Sequence, residues 1–327
     1  MSLLRTTVAL LGGMIAARPA GAQAPTAPAA FVVAVSEGET LLPLARFEGG
    51  RWLNTWPEPE EDSKPVPALA DVPAGWLGRP VPIDWTLWFT GGGTVPVQIA
   101  RTARSGGCVV SPKLTLRNPQ EPPSGAFDVV HPGLATTDGA AVGTVHLVTR
   151  RTVSGPRTTD SVLMRRLQPL VQSLFAAHEG GALDRVRDSN GNPAATVTPQ
   201  QLAAISPTID WVYRARRPEG TVLYFEASKR TTPSTLHPVT VHGWARLDAS
   251  GRVVPIGVEA FVGLEELPPG DDPIVNVSND IPLGILRARE QDIWVMEVGF
   301  GESNAFALYD IGTTAARMLL RVDAGGC

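Results

Sequence analysis

Eight tryptophans, five histidines, two cysteines and 32 acidic residues are the groups from which this chain could build a working site. Five of the tryptophans crowd into one stretch: Trp52, Trp56, Trp76, Trp85 and Trp88. Indole faces offer apolar area with a polar handle, so such a cluster can line a platform for a carbohydrate or an aromatic ligand. Trp85 and Trp88 are three residues apart, and on one strand they would point to opposite faces, which excludes a single platform holding both. Trp52, Trp56 and Trp76 are therefore the ligand-binding candidates. The competing explanation is a tryptophan-rich core in a region poor in other aromatics.

For catalysis the candidates are dispersed. Asp210, Glu226, Glu259 and Glu297 fall inside strand-like runs, and a pair of them could divide acid and base roles in a hydrolase. That chemistry needs a defined carboxyl separation in space, which spacing along the chain does not supply. Glu297 shares a face with Ile293 and Val295, so burial there would raise its pKa. No Gly-x-Ser-x-Gly elbow or Ser-x-x-Lys pattern marks an acylating serine. Gly91-Gly92-Gly93 lacks the Lys-Ser/Thr of a phosphate loop, and no Gly-x-Gly-x-x-Gly opens a helix. Catalytic residues are left unassigned and no cofactor is implied.

Metal ligation has no better support. His131, His146, His178, His237 and His242 form no His-x-His or His-Glu-x-x-His pattern, and there is no Cys-x-x-Cys. Asp188-Ser189-Asn190-Gly191-Asn192 opens like a calcium loop, but Pro193 and Pro199 stand where glycine and a bidentate Glu belong. An Asn-Gly turn accounts for it, and no metal site is expected.

Compartment follows from the first residues. Arg5 supplies a positive n-region, Val8 to Ala17 an uncharged apolar run, and Pro19-Ala20-Gly21-Ala22 a helix break with an Ala-x-Ala site. This is the layout of a secretory signal peptide, with cleavage expected after Ala22. The apolar run is about half the roughly 20 residues needed to span a bilayer, and no later segment is long and apolar enough. The expected mature chain is soluble and periplasmic or secreted. It keeps about 305 of the 327 residues and carries about two more net negative charges than the precursor's −4, since the leader takes two arginines with it. An acidic balance of this kind lacks the basic footprint of a nucleic-acid binder. In an oxidising compartment the two cysteines, Cys108 and Cys327, are expected to pair.

The elements that must position these groups are mostly strands. Glycine and proline number 33 and 30, scattered between apolar runs as turns between many short strands. The reading gives a flexible stretch at 23–30, a β-rich region at 31–155, and a helix followed by a second β-rich region at 156–327. Phe31 to Val35 and Leu41 to Phe47 open the first region. Glu48-Gly49-Gly50 and Asp248-Ala249-Ser250-Gly251 each read as a hairpin turn. Leu163, Leu167, Leu170, Val171, Leu174 and Phe175 recur at helical spacing, predicting an amphipathic helix over 161–179. Asp160 would cap it, Pro169 would interrupt one hydrogen bond, and Gly180-Gly181 would stop it. Thr198-Pro199-Gln200-Gln201 carries a capping box and proline at the first position, predicting a short helix over 199–205. Ile209, Trp211, Tyr213 and Ala215 alternate with Asp210 and Arg214, predicting one apolar and one polar strand face.

The expected fold class is mainly β, with antiparallel sheets of sandwich- or barrel-like form and two helices inserted between two β regions. The function read from this is an exported, non-catalytic binding or envelope-associated structural protein, with a carbohydrate or other envelope component as its ligand class. The alternative is a periplasmic or secreted hydrolase using the dispersed acids. The expected partners include no nucleic acid.

Overall fold

A computed structural model of the chain describes residues 28–58, 60, 65–89, 93–104, 110–119, 133–152, 155–184, 198–217, 220–230, 238–262, 280–289, 291–300 and 303–326. The expected leader, Cys108, Cys327, His131, His237 and the Asp188–Asn192 loop lie outside the described residues. The protein is mainly β, made of antiparallel sheets, one of them barrel-like, with one long helix.

The first sheet takes β1 (Ala30–Glu37), β2 (Thr40–Glu48), β3 (Arg51–Leu53), β4 (Asp84–Trp88), β5 (Thr94–Arg104), β6 (Pro112–Leu116) and β7 (Gly133–Thr136). Its order is β1-β7-β4-β5-β6-β2-β3, and β1 also pairs with β2, so six of the strands close into a ring. Closure removes the open edges of those six strands. The Gly49-Gly50 hairpin joins β2 to β3, with Phe47 opposite Trp52. The run Phe31-Val32-Val33-Ala34-Val35 shows no polar alternation because it is buried on both faces. The core around it also takes Leu286, Ile293, Val295, Phe306 and Leu308 from later in the chain.

Those later residues belong to β8 (Val142–Gly143), β15 (Ile281–Ala288), β16 (Gln291–Phe300), β17 (Ser303–Ile311) and β18 (Ala316–Gly326), ordered β18-β17-β16-β15-β8. Alternation along β16 divides its residues between two cores. Ile293 and Val295 face the barrel, while Trp294, Met296 and Val298 face the remaining sheet. That sheet is ordered β10-β9-β11-β12-β13-β14. Its strands are β9 (His146–Thr152), β10 (Gly155–Thr158), β11 (Thr208–Arg217), β12 (Gly220–Lys229), β13 (Val239–Leu247) and β14 (Val253–Val262). The layers therefore run barrel, five-stranded sheet, six-stranded sheet, and finally the long helix on the outer face.

Of the helices, α1 (Ala74–Leu77) is a single turn in the proline-rich connection that carried no helical signal, while α2 (Ser161–Asp184) and α3 (Pro199–Ala203) follow the expected starts. Asp160 caps α2 by accepting from the Leu163 N–H at 3.0 Å. The Thr198/Gln201 capping box on α3 is formed in both directions. The helix α2 passes through Pro169 and also through Gly180-Gly181, five residues beyond its expected end. Ala182 and Leu183 are buried at that extension, and burying a side chain of leucine size contributes about 2 kcal/mol. Two interior glycines cost about 1 kcal/mol each against alanine, so packing and propensity nearly balance there.

One register departure changes which residues face which core. Ile209 lies opposite Ala227 and Trp211 opposite Glu226, so Asp210 is an extra residue, a bulge. The expected single apolar face of β11 is thus split. Ile209 packs under α2, whereas Trp211, Tyr213 and Ala215 face the five-stranded sheet. Between β13 and β14 the backbones approach closely at Gly243, where φ is 150° and a Cβ would fall 2.1 Å from the Gly257 carbonyl oxygen. Only glycine fits there.

Candidate functional site

The three tryptophans with binding potential fall in two places. Trp52 joins Phe31 and Phe47 in an aromatic cluster on the barrel, with ring centroids 5.6 and 5.2 Å away. Trp56 is buried and donates its indole N–H to the Pro112 carbonyl at 2.8 Å. Trp76 stands edge-on to Trp56 at 5.1 Å and is half-buried. The turn of α1 presents it, and the Thr55 hydroxyl donates to its carbonyl.

Trp76 is one wall of a cavity of about 200 Å³. Pro57, Pro65, Pro67 and Pro112 supply further apolar wall, and Glu58, Glu60 and Arg104 supply charge. Two backbone hydrogen bonds between Glu60 and Val110, both 3.1 Å, fasten the opposite sides. Proline has no N–H to donate and its ring is rigid, so the wall costs little side-chain entropy to order. A flat, half-exposed indole over apolar ring surfaces can hold a sugar face or an aromatic group, and the acids at the rim can accept hydroxyl hydrogen bonds.

Three of the four acids fall on neighbouring strand positions: Asp210 is the bulge beside Trp211, which pairs with Glu226, and Glu226 pairs with His242, which pairs in turn with Glu259. Asp210 and Glu226 are both buried in the six-stranded sheet, on β11 and β12. Glu259 lies one strand beyond His242, and its side chain is 87 % exposed. Glu297 is on the barrel side of the five-stranded sheet, where burial, and then the charge of Glu37, raises its pKa. Three cavities are described, and none of these acids lines any of them.

A polar cluster with no local mark in the sequence sits between the two stacked sheets. The Tyr224 hydroxyl donates to Asp280 Oδ2 at 3.1 Å and lies 3.1 Å from His242 Nδ1. The same imidazole nitrogen is 3.2 Å from Asp280 Oδ2, and Nε2 faces Glu259 at 3.8 Å. Burial alone would lower the His242 pKa. The contacts with the Asp280 and Glu259 carboxylates, with the charges of Asp280 and Glu226, override it and push it up to about 9. Burial, and then the Asp280 and Glu226 charges, hold the Tyr224 phenol well above its ordinary value. An imidazolium clamped this way is a poor general base near neutral pH, because it has no lone pair to offer. No member of the cluster lines a described cavity. Its chemistry is that of a buried ion pair joining β13 to the residue that opens β15.

Among the described residues no group of three or more His, Cys, Asp and Glu is arranged to hold a metal ion, and no helix is long and apolar enough to cross a membrane. Compared with known protein families, curated proteins and solved structures, the chain matches none.

Proposed function

We propose that this chain is an exported, non-catalytic binding protein of the cell envelope whose ligand stacks on Trp76. The observation that carries the reading is the half-buried indole of Trp76 in the wall of a proline-lined cavity whose lining also holds Glu58 and Glu60. A carbohydrate or peptidoglycan-like ligand suits an aromatic floor with hydroxyl acceptors beside it. Binding is put ahead of hydrolysis because the cavity that holds Trp76 has none of Asp210, Glu226, Glu259 and Glu297 in its lining. Export rests on the layout of residues 1–22, with Arg5, the apolar run from Val8 to Ala17 and the Ala20-Gly21-Ala22 site.

The same reading includes a Cys108–Cys327 disulfide. Ser111 and Ala324, each three residues from one of the cysteines, are joined by a side-chain hydrogen bond of 3.0 Å. The test of the function is a thermal-shift and fluorescence screen of the purified protein against soluble glycans and peptidoglycan fragments. At least one member should bind. Trp76→Ala should weaken it about tenfold or more, the loss of one aromatic anchor, with an unchanged circular dichroism spectrum. Absence of any binder, or a binder indifferent to Trp76→Ala, would overturn the proposal.

A further inference from the structure

All four hairpins that link β11 to β12, β13 to β14, β15 to β16 and β17 to β18 turn at the same end of the two stacked sheets, and there the layers enclose a cleft of about 730 Å³. That is within the range of small-molecule pockets, roughly 300–1,000 Å³. Its floor is the exposed end of the core between the sheets: Val222, Ile256 and Ile311 are buried members of that core.

The walls carry an imbalance of charge. Asp292 is held between Arg217, 3.1 Å away, and Arg287, 2.8 Å away. Two guanidiniums on one carboxylate leave a positive charge over, and the Arg217 and Asp292 side chains are each less than 10 % exposed. Asp310 is matched by Arg317 at 3.1 Å. Asp248 is occupied within its own turn, accepting from the Ser250 hydroxyl at 2.6 Å and from the Ser250 and Arg252 N–H groups at 2.9 Å each. Arg246 also lines the cleft, is exposed, and makes no ion pair among the described residues. Among the described residues, Asp248, Asp292 and Asp310 are thus each paired with an arginine, and Arg246 is a cation of the lining over and above them, in a chain whose net charge is −4; Glu219 and Glu290 lie outside the described residues.

From this we infer a second binding site, independent of the Trp76 cavity, for an anionic amphiphile. Its apolar body lies on Val222, Ile256 and Ile311, and its single carboxylate or phosphate head meets Arg246 with the Arg217–Asp292–Arg287 group behind it. Arginine forks match both oxyanions, so headgroup chemistry is shared between fatty acids and phosphate esters. A local positive field in an acidic protein would also concentrate anions at the mouth.

The probes are decanoate, decyl phosphate and uncharged decyl glucoside, each titrated below its micelle concentration into the purified protein by calorimetry. Both anions should bind more tightly than the glucoside, and the tighter of the two identifies the headgroup source. Arg246→Ala should weaken both anions about tenfold or more, as expected for the loss of one charge-assisted contact. Trp76→Ala should leave decanoate binding unchanged, which separates this site from the other. Equal binding of the glucoside, no binding of either anion, or no effect of Arg246→Ala would overturn the inference.

Discussion

Raising the pH from 6 to 9.5 should loosen the fold through one residue, His242. Its pKa stands at about 9 in the folded protein against an ordinary 6.5. Because the folded state holds the proton more tightly, the stabilisation is fully present below pH 6.5. It is lost progressively as pH rises to about 9, beyond which both states are deprotonated. The gap of about 2.5 units at 1.36 kcal/mol each gives a contribution on the order of 3 kcal/mol. With a urea m-value near 3 kcal/mol per molar, the midpoint should fall by about 1 M across that window. The phenols nearby do not titrate there, since Tyr224 is held well above its ordinary value and Tyr309 is pushed up to about 12. Asp280→Asn keeps an oxygen for the Tyr224 hydroxyl but removes the charge opposite the imidazole. Burial is then opposed only by Glu259 and Glu226, so the His242 pKa should fall and the alkaline loss should shrink. The assay is urea unfolding of both proteins at half-unit pH steps, paired with an NMR titration of carbon-labelled histidine. A His242 resonance titrating near 6.5, or an Asp280→Asn protein that keeps the full alkaline loss, would refute the assignment.

Two other perturbations test the packing. Lys229 is buried, donating to Glu179 at 2.7 Å and to the Leu202 carbonyl at 3.1 Å, with its ammonium over the Phe175 ring at 5.3 Å. Lys229→Met should cost about 3–5 kcal/mol by stranding Glu179, and adding Glu179→Gln should recover most of it. A urea midpoint close to the parent's would count against the bridge. For the cysteines, alkylation without reductant should add no mass to the native protein, and reduction should admit two groups. Closing a loop of about 220 residues would stabilise the fold by up to about 5 kcal/mol, so reduction should lower the thermal midpoint. Uptake of two groups before reduction would rule the disulfide out.

What could be read from the sequence was what short-range chemistry decides. The turns at Gly49-Gly50 and Asp248–Gly251, the Thr198/Gln201 box and the Asp160 cap each depend on fewer than five residues, and each is found where its pattern lies. Glu297 faces the same way as Ile293 and Val295, because period two survives along an unbroken strand. The α2 stop at Gly180-Gly181 failed because the competing term is tertiary. Lys229, some fifty residues on, anchors Glu179 just before the glycines, and Ala182 and Leu183 find core beyond them. The face assignment of β11 failed at a single bulge, and nothing near Asp210 announces one.

The candidate sites follow the same division. Trp76 was visible as a residue type, but its pairing with Trp56 and the prolines needed a one-turn helix folded back across the barrel. The cluster of Tyr224, His242 and Asp280 joins groups 18 to 56 residues apart, and its members look unremarkable on their own strands. The cleft with Arg246 is less legible still, since it is defined by four hairpins that share one end only because two sheets stack in register. Its charge, among the described residues, is what is left after Asp292 and Asp310 are matched. A residual of that kind has no sequence pattern. It depends on which arginines reach which carboxylates, and that is decided by the stacking of the layers.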